Sequence, residues 1–415
     1  MRSGKMNYVI IGNSVATVGC VEGIREVDKQ GTITIIGDEK TQCYSRPLIS
    51  YYLMGKTNEQ NLIYRNDDWF GERGVHQMLG TTVQSINTKA KRVVTDNAGE
   101  VAYDKLLVAT GSRPFVPPMQ DLTLVKDRFT FMNLSDAKAL QAAVSPKSEV
   151  LIIGAGLIGL KCAEGLYGKV KHLTIIDLAP RVLPTILDEE GSKRVQTYLE
   201  SKGMAFRLGV STKTFSAHEA TLTDESKVPF DTLVLAVGVR PNTTLIKDAG
   251  GNVNKGIVID DHCRTTLPDI WAAGDCAEGM DDASGLRHVI AIFPNARLQG
   301  ETAGRNMAGE DCTVSPSIPM NATGLFDLHM ITAGSYGGDD IVEKTEDGYK
   351  RLFTKDNRLI GFILIGDTIA RAGIYTSLVR AKTDLSSIDF PLITEHPQLM
   401  AFAKKERVRK LGGVQ

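Results

Sequence analysis

No C-x-x-C pair and no zinc-like group occurs among the six cysteines, which stand at 20, 43, 162, 263, 276 and 312. That spacing excludes a vicinal dithiol and a zinc ribbon. A free cysteine outside such a pattern defaults to small apolar packing. No apolar run approaches the roughly 18 residues that a bilayer span needs. The first apolar run, in "MRSGKMNYVIIGNS", stops at a glycine turn. It lacks the longer core and the cleavage site of a secretory leader, so a cytoplasmic chain is expected. Nor is there an excess of charge, with 48 Lys plus Arg against 49 Asp plus Glu. With no base-reading or stacking motif either, nucleic acid is not expected as a partner. No ligand cluster suggests a metal. What remains is an ordinary globular composition, 42% apolar and 23% charged, in a chain of 415 residues. That length allows two or three domains with real cores.

An internal repeat is the strongest positive signal. The first copy is "NYVIIGNSVATVGCVEGI": the β-branched run Val9–Ile11, a turn opened by Gly12, then a helical pattern. Its second strand, "TITIIGDE", ends at Asp38 and Glu39. The second copy is "EVLIIGAGLIGLKCAEGL", with a strand over Val150–Ile153 and a turn at Gly154, Gly156 and Gly159. Its next strand, "LTIID", ends at Asp177. Cys20 and Cys162 fall at the same offset in the two copies, which favours packing over chemistry for both.

A G-x-G-x-x-G turn after a strand has a physical purpose. The first glycine permits the tight turn, the second lets backbone N–H groups approach a pyrophosphate, and the third lets helix and strand pack closely. The phosphates then sit at the positive helix N-terminus, and an acidic residue about 20 positions on binds ribose hydroxyls. The second copy fits fully. The first reads Gly12, Ser14, Thr17 and keeps only the first glycine, although serine is small enough to preserve the approach. Two such copies predict two bound dinucleotides. Further strand-and-glycine segments follow: "YDKLLVATGSRPFVPP", with Ala109, Thr110 and Gly111; "FDTLVLAVGVRPN", with Val237 and Gly238; and "TTLPDIWAAGDCAE", with Gly274 and Asp275. Asp275, at a sheet's C-terminal edge, can accept hydrogen bonds from a ribityl chain.

In these motifs the chain resembles the two-dinucleotide-binding-domain flavoproteins of the pyridine nucleotide–disulfide oxidoreductase superfamily. The match runs in order from Gly12–Ala16 through "ATGSRP", "GAGLIG" and "AVGVRPN" to "AAGD", over about residues 7–310. The resemblance implies an α/β fold of two Rossmann-like domains, one for FAD and one for NAD, plus a smaller α+β C-terminal domain. The boundaries expected are 1–115 with 245–318 for FAD, 116–244 for NAD and 319–415 for the C-terminal domain. It places FAD on Gly12, Ser14, Val15, Ala16, Asp38, Glu39, Arg46, Pro47, Val83, Ala109, Thr110, Gly111, Arg113, Gly274 and Asp275. The helix that starts near Phe293, Pro294 and Asn295 would direct its positive end at the flavin pyrimidine. NAD falls on Gly154, Gly156, Leu157, Ile158, Gly159, Asp177, Arg181, Val237 and Gly238. Asp177 argues for NADH over NADPH, because a carboxylate accepts both ribose hydroxyls and repels a 2′-phosphate. Arg181, in "LAPRVLP", would complicate this reading if it reached a 2′-phosphate.

Cys43, in "CYSRPLIS", leaves two readings open. As a nucleophile it would make the enzyme a CoA-disulfide or peroxide reductase, or an NADH oxidase. A reactive thiolate needs a cation or helix N-terminus to lower its pKa, and Arg46 is at hand. Against this stand the missing second cysteine and the register, in which the thiol of lone-cysteine relatives falls near Pro47. The stretch "YSRPLIS" instead resembles reductases that serve rubredoxins, ferredoxins or a nitrite-reducing centre. Oxygenase-linked ferredoxin reductases carry lysine after the serine, where this chain has Tyr51, so Arg46 becomes the expected cation beside the flavin. The resemblance therefore implies electron exchange between NADH and an iron–sulfur or other metal-centre protein through FAD, without a thiol relay. The chain also has the look of a flavoprotein subunit of an aldehyde-oxidoreductase-type complex. A third reading is a flavin-bearing binding protein without catalysis. The C-terminal domain is expected to build a homodimer or partner surface. The basic tail "KKERVRK", residues 404–410, is a solvated helix end or a dock for an acidic partner.

Overall fold

Runs such as "YVII" and "VLII" are apolar without alternation, the pattern of strands buried on both faces. The computed structural model describes residues 5–281, 284–315 and 317–402, and it turns each run into the centre of a parallel sheet. The basic tail, residues 404–410, lies outside the described residues. In the first sheet the strand order is Ile270–Ala272, Lys105–Val108, Asn7–Ile11, Thr32–Gly37, Val75–Leu79. In the second it is Ala205–Leu208, His172–Asp177, Glu149–Ile153, Thr232–Leu235, Arg128–Phe129. All neighbours in both sheets are parallel. The repeat extends further than the glycine turns. Each half also carries a three-stranded antiparallel sheet, Val83–Ala102 in one and Thr212–Pro229 in the other.

The chain divides into two compact units. The first comprises Met1–Pro180, Lys202–Met280 and Arg287–Ser315, and it holds both parallel sheets. Within it the two halves are joined by pairing of equivalent segments: Ser112–Pro114 of "ATGSRP" runs antiparallel to Val239–Pro241 of "AVGVRPN". The first half closes on itself by a helix crossing. Helix Val15–Val27 and helix Phe293–Met307 meet on glycines spaced four apart, Gly19 and Gly23 on one, Gly300 and Gly304 on the other. A Cβ on any of the four would lie 2.0–2.3 Å from a carbonyl oxygen of the opposite helix. Glycine is the one residue that permits so close a backbone approach. Arg297 fixes the register by pairing with Glu22 across the crossing and with Glu301 on its own helix.

The second unit comprises Arg181–Ser201, Asp281–Leu286 and Pro316–Gln415. Its sheet is antiparallel, in the order Met320–Leu325, Leu328–Gly334, Arg358–Gly366, Gly348–Lys355, Asp339–Lys344. Helix Ala372–Ala381 covers a core built from Leu352, Phe362, Leu364, Tyr375 and Leu378. The stretch Arg358–Ala381 runs as strand, turn and helix. Helix Glu189–Ser201 also packs in this unit: Glu190 pairs with Lys344 at 2.9 Å and Asp188 with Arg351 at 2.7 Å. Among the described residues no helix is long and apolar enough to cross a membrane.

Candidate functional site

Gly12 and Gly154 do the same work in the two halves. Their φ angles are +126° and +116°, and an added Cβ would lie 2.2 Å from Ala109 O and 2.3 Å from Ala236 O. Both the left-handed region and the close approach to the next strand therefore demand glycine. Gly159 is held as tightly, since a Cβ there would lie 1.9 Å from Gly154 O. The equivalent Thr17 is a departure with a compensation: it is buried, and its hydroxyl donates to Gly12 O at 2.8 Å. A side-chain hydrogen bond holds the turn where the second half uses bare contact.

Three helices point uncapped N-termini into this architecture. Ser14 and Gly156 stand at the N-caps of Val15–Val27 and Leu157–Leu166 and make no side-chain cap bond. Ile292 stands at that of Phe293–Met307, again without one. The first N–H groups of a helix have no internal partner, so these ends are open to an anion.

Around the first turn lies a cavity of about 470 Å³, within the size range of cofactor sites. Gly12, Ser14, Val15, Ala16 and Asp38 line it from the first half's turn and second strand. Arg46, Pro47 and Val83 follow, then Ala109, Thr110 and Gly111. Gly274, Asp275 and Phe293 complete the expected set. Four expected residues stand off the wall. Glu39 accepts from Tyr44 Oη at 2.7 Å and pairs with Arg46. Arg113 donates to Asn242 Oδ1 at 2.9 Å. Asn295 is buried and donates to Ile290 O at 2.9 Å, and Pro294 occupies the helix's first turn. The wall also includes residues the sequence reading passed over: Asn13, Thr81, Gln84, Met132, Asn242, Thr244, Leu245 and Ala291. Asn242 ends the "AVGVRPN" motif, which is its local signal in the sequence. It exchanges hydrogen bonds with Thr110, donating to its carbonyl at 2.8 Å and accepting its hydroxyl at 2.9 Å. The second half's loop thereby forms part of the first half's cavity.

The cavity fits a dinucleotide. Asn13 Oδ1 is buried there without a partner, and a buried polar atom left so calls for one. Asp275 has its pKa raised by burial, opposed by the nearby Arg46 guanidinium. Arg46, on the same wall, is ion-paired with Glu39.

At the second turn, Gly154, Gly156, Leu157, Ile158 and Gly159 come together with Asp177 at the C-terminal edge of the sheet. Val237 and Gly238 follow the neighbouring strand Thr232–Leu235, with Gly238 at φ +109°. Asp177 Oδ2 accepts from Ala155 N at 2.6 Å and Oδ1 from Ala179 N at 2.7 Å. A carboxylate has about four lone-pair sites, so these bonds orient it and leave acceptor capacity. The strand register pairs Ile153 with Ile176 and Ile11 with Ile36. Gly37 therefore occupies the position of Asp177, and the first half's acidic residues are displaced by one and two places. Arg181 belongs to the second unit, where it donates to Pro184 O at 3.3 Å.

Cys43 is fully buried and is not part of the cavity wall. Burial pushes its thiol up to about 12, against the smaller pull of Arg46 and Arg65. At neutral pH it is a thiol, not the thiolate a nucleophile requires. Cys20 and Cys162 are equally buried, with their pKa values raised by burial. No disulfide and no metal-holding cluster occurs among the described residues.

The family model described as pyridine nucleotide-disulphide oxidoreductase matches residues 6–300. The chain belongs to that family. The nitrite reductase [NAD(P)H] of Bacillus subtilis (strain 168) is 30% identical over 395 residues, covering 92% of this chain and 48% of that protein. The chain therefore spans about half the length of that relative. The NADH-dependent phenylglyoxylate dehydrogenase subunit epsilon of Aromatoleum evansii is 27% identical, covering 92% of this chain and 93% of the subunit. A covalent putidaredoxin reductase–putidaredoxin complex superposes with a TM-score of 0.88 at 22% identity, covering 99% of this chain and all of that one. At that identity the likeness concerns the fold: two Rossmann-like halves and a smaller α+β part.

Proposed function

We propose that this protein is an FAD-dependent NADH oxidoreductase that exchanges electrons with an iron–sulfur or other metal-centre protein or subunit, without a thiol relay. The observation that carries the reading is the position of Cys43, buried and outside a cavity whose wall comes from both halves. FAD, when bound, supplies the conversion between a two-electron hydride donor and a one-electron acceptor. The chain supplies position and electrostatics. The turn at Gly12–Ala16 holds the FAD pyrophosphate, Asp38 serves its ribose side, and Gly274–Asp275 hold the ribityl chain. The N-terminus of Phe293–Met307 faces the flavin. Gly154–Gly159 and Asp177 hold NAD. We keep the division into 1–115 with 245–318, 116–244 and 319–415 as the functional one, and place the protein in the cytoplasm. The C-terminal domain is assigned a homodimer or partner surface. Relatives named as a reductase and as a dehydrogenase subunit support a redox protein as the partner.

The first test is the colour and reduction of the purified protein. It is expected to be yellow, with about one FAD per chain, and to bleach on NADH. A colourless protein that refuses reconstitution sinks the proposal. Cys43→Ser is expected to leave flavin reduction, and delivery to a one-electron dye, within about threefold, or ~0.65 kcal/mol. Loss of a thiolate-to-flavin charge-transfer band together with disulfide reduction in that variant would restore the thiol enzyme.

Nucleotide choice gives a second measurement. Asp177→Ala removes charge-assisted hydrogen bonds of about 1.5–3 kcal/mol, so apparent NADH affinity falls roughly tenfold or more. Leu178, 73% exposed beside it, offers a place for a cation. Asp177→Ala with Leu178→Arg is expected to prefer NADPH, since the guanidinium pairs with a 2′-phosphate. Equal use of both nucleotides by the unmodified protein would show the carboxylate misassigned.

A further inference from the structure

A buried cation–carboxylate pair stands where the two halves meet, and the proposed reaction has not used it. Helix Ile49–Met54 follows directly on Arg46 and Pro47 of the cavity wall. It packs on helix Leu157–Leu166, which rises from the Gly154–Gly156 turn. The helices come close at Gly165, where a Cβ would lie 2.9 Å from Leu53 Cδ2. Lys169 closes the far end of the contact by donating to Leu53 O. One turn nearer the glycines, Lys161 is ion-paired with Glu164, and its Nζ lies 5.0 Å from the centroid of the Tyr51 ring. The two charged side chains are only 15% and 3% exposed.

A buried ion pair is a poor source of stability, because desolvation offsets much of the attraction. Its place needs another explanation. Arg46 stands on the cavity wall already paired with Glu39. Position 51, immediately after Ser50, presents an aromatic face, and such a face attracts an ammonium. The helix of the opposite half supplies one.

We infer that Lys161 is a positioning residue for electron transfer. Its ammonium, oriented by Glu164 and the Tyr51 ring, is a fixed positive charge at the junction of the FAD and NAD halves. It favours the negative charge that the flavin gains on reduction. A charge already in place costs no reorganisation when the opposite charge develops, and in partly buried surroundings salt screens it weakly. The inference rests on the assignment of the two halves to FAD and NAD.

The flavin midpoint potential of the purified holoprotein tests it by spectroelectrochemical titration. Lys161→Met alone would strip buried Glu164 of this cation and risk the fold, so the charges are changed in another order. Glu164→Gln leaves the ammonium less compensated and is expected to raise the potential. Lys161→Met with Glu164→Gln is expected to lower it below the wild-type value, and Lys161→Arg to preserve it. Each shift should be at least threefold in the equilibrium constant for flavin reduction, about 15 mV for a two-electron couple at ~30 mV per decade. Opposite signs from adjacent substitutions are a signature of charge that loosened packing does not produce. Shifts of the same sign, or none, overturn the inference. A wild-type protein that holds no flavin, or that NADH does not reduce, overturns the functional reading beneath it instead.

Discussion

Gly154→Val should give a protein that stays yellow but is no longer reduced by NADH, whereas Gly12→Ala should give one that loses its FAD. The two glycines have nearly the same φ and face equivalent carbonyl oxygens, at 2.2 and 2.3 Å from a built Cβ. Any side chain there meets strain at positive φ, on the order of 1–3 kcal/mol. It also meets a backbone atom that cannot turn aside. Each substitution thus displaces the turn whose N–H groups receive a pyrophosphate. A hundredfold loss of affinity corresponds to about 2.7 kcal/mol, well within the sum of strain and clash. FAD content, from the absorbance of the purified protein, reads the first effect. Stopped-flow reduction at sub-saturating NADH reads the second, with a fall of about a hundredfold expected. The converse pattern, a colourless Gly154 variant and a flavin-replete Gly12 variant with impaired reduction, would exchange the two cofactor assignments.

Gly300→Val should be the most damaging change away from the turns. Its Cβ would lie 2.0 Å from Ala16 O and 2.8 Å from Ala16 C. Because those atoms belong to a helix backbone, the helices must part. Overpacking costs about 1–3 kcal/mol where side chains can adjust, and here the obstacle is main chain, so ~3 kcal/mol or more is expected. The melting temperature, followed by release of flavin fluorescence, should drop by roughly 6 °C or more. Gly19→Ala attacks the same seam from the other side, with its Cβ 2.3 Å from Arg297 O. Once one substitution has separated the helices, the second meets less resistance. The double variant should therefore lose less than the sum of the singles. Full additivity, or an unchanged melting temperature with Gly300→Val, would show that this crossing is not tight.

The local signals were legible because each is carried by a few adjacent residues. Strand, turn and helix at Val9–Ala16 and at Val150–Gly159 follow from apolar β-branched runs broken by glycine. Asp177 follows from its place at a strand end. The helix crossing was legible in principle, since Gly19 and Gly23, and Gly300 and Gly304, repeat at one-turn spacing in two helices. Nothing local says that the two glycine faces are partners. The same holds for Arg46: its type announced a cation, but Glu39 as its partner depends on how the loop after the second strand folds back. The affiliation of helix Glu189–Ser201 is decided by Asp188, Glu190 and Arg194 meeting a sheet more than 130 residues away in sequence. Cys43 shows the opposite case. Its neighbours allowed two chemistries, and burial, a property of the whole fold, favours the one without a thiol relay.

The discontinuity of the first half has a consequence for the order in which the nascent chain can fold. Helix Val15–Val27 emerges early, but the glycine face that receives Phe293–Met307 stays uncovered until about 280 residues more have been made. At about 5–20 residues per second that interval is ~15–60 s. A shorter wait, of about 160 residues, applies to strand Lys105–Val108, whose outer edge is open until Ile270–Ala272 arrives to pair with it. An unpaired edge is a template for association with other chains. The intervening second half is complete sooner, with its strands all drawn from residues 128–235. The second nucleotide-binding sheet can thus form on the ribosome while the first is still waiting for its outer strand and its covering helix.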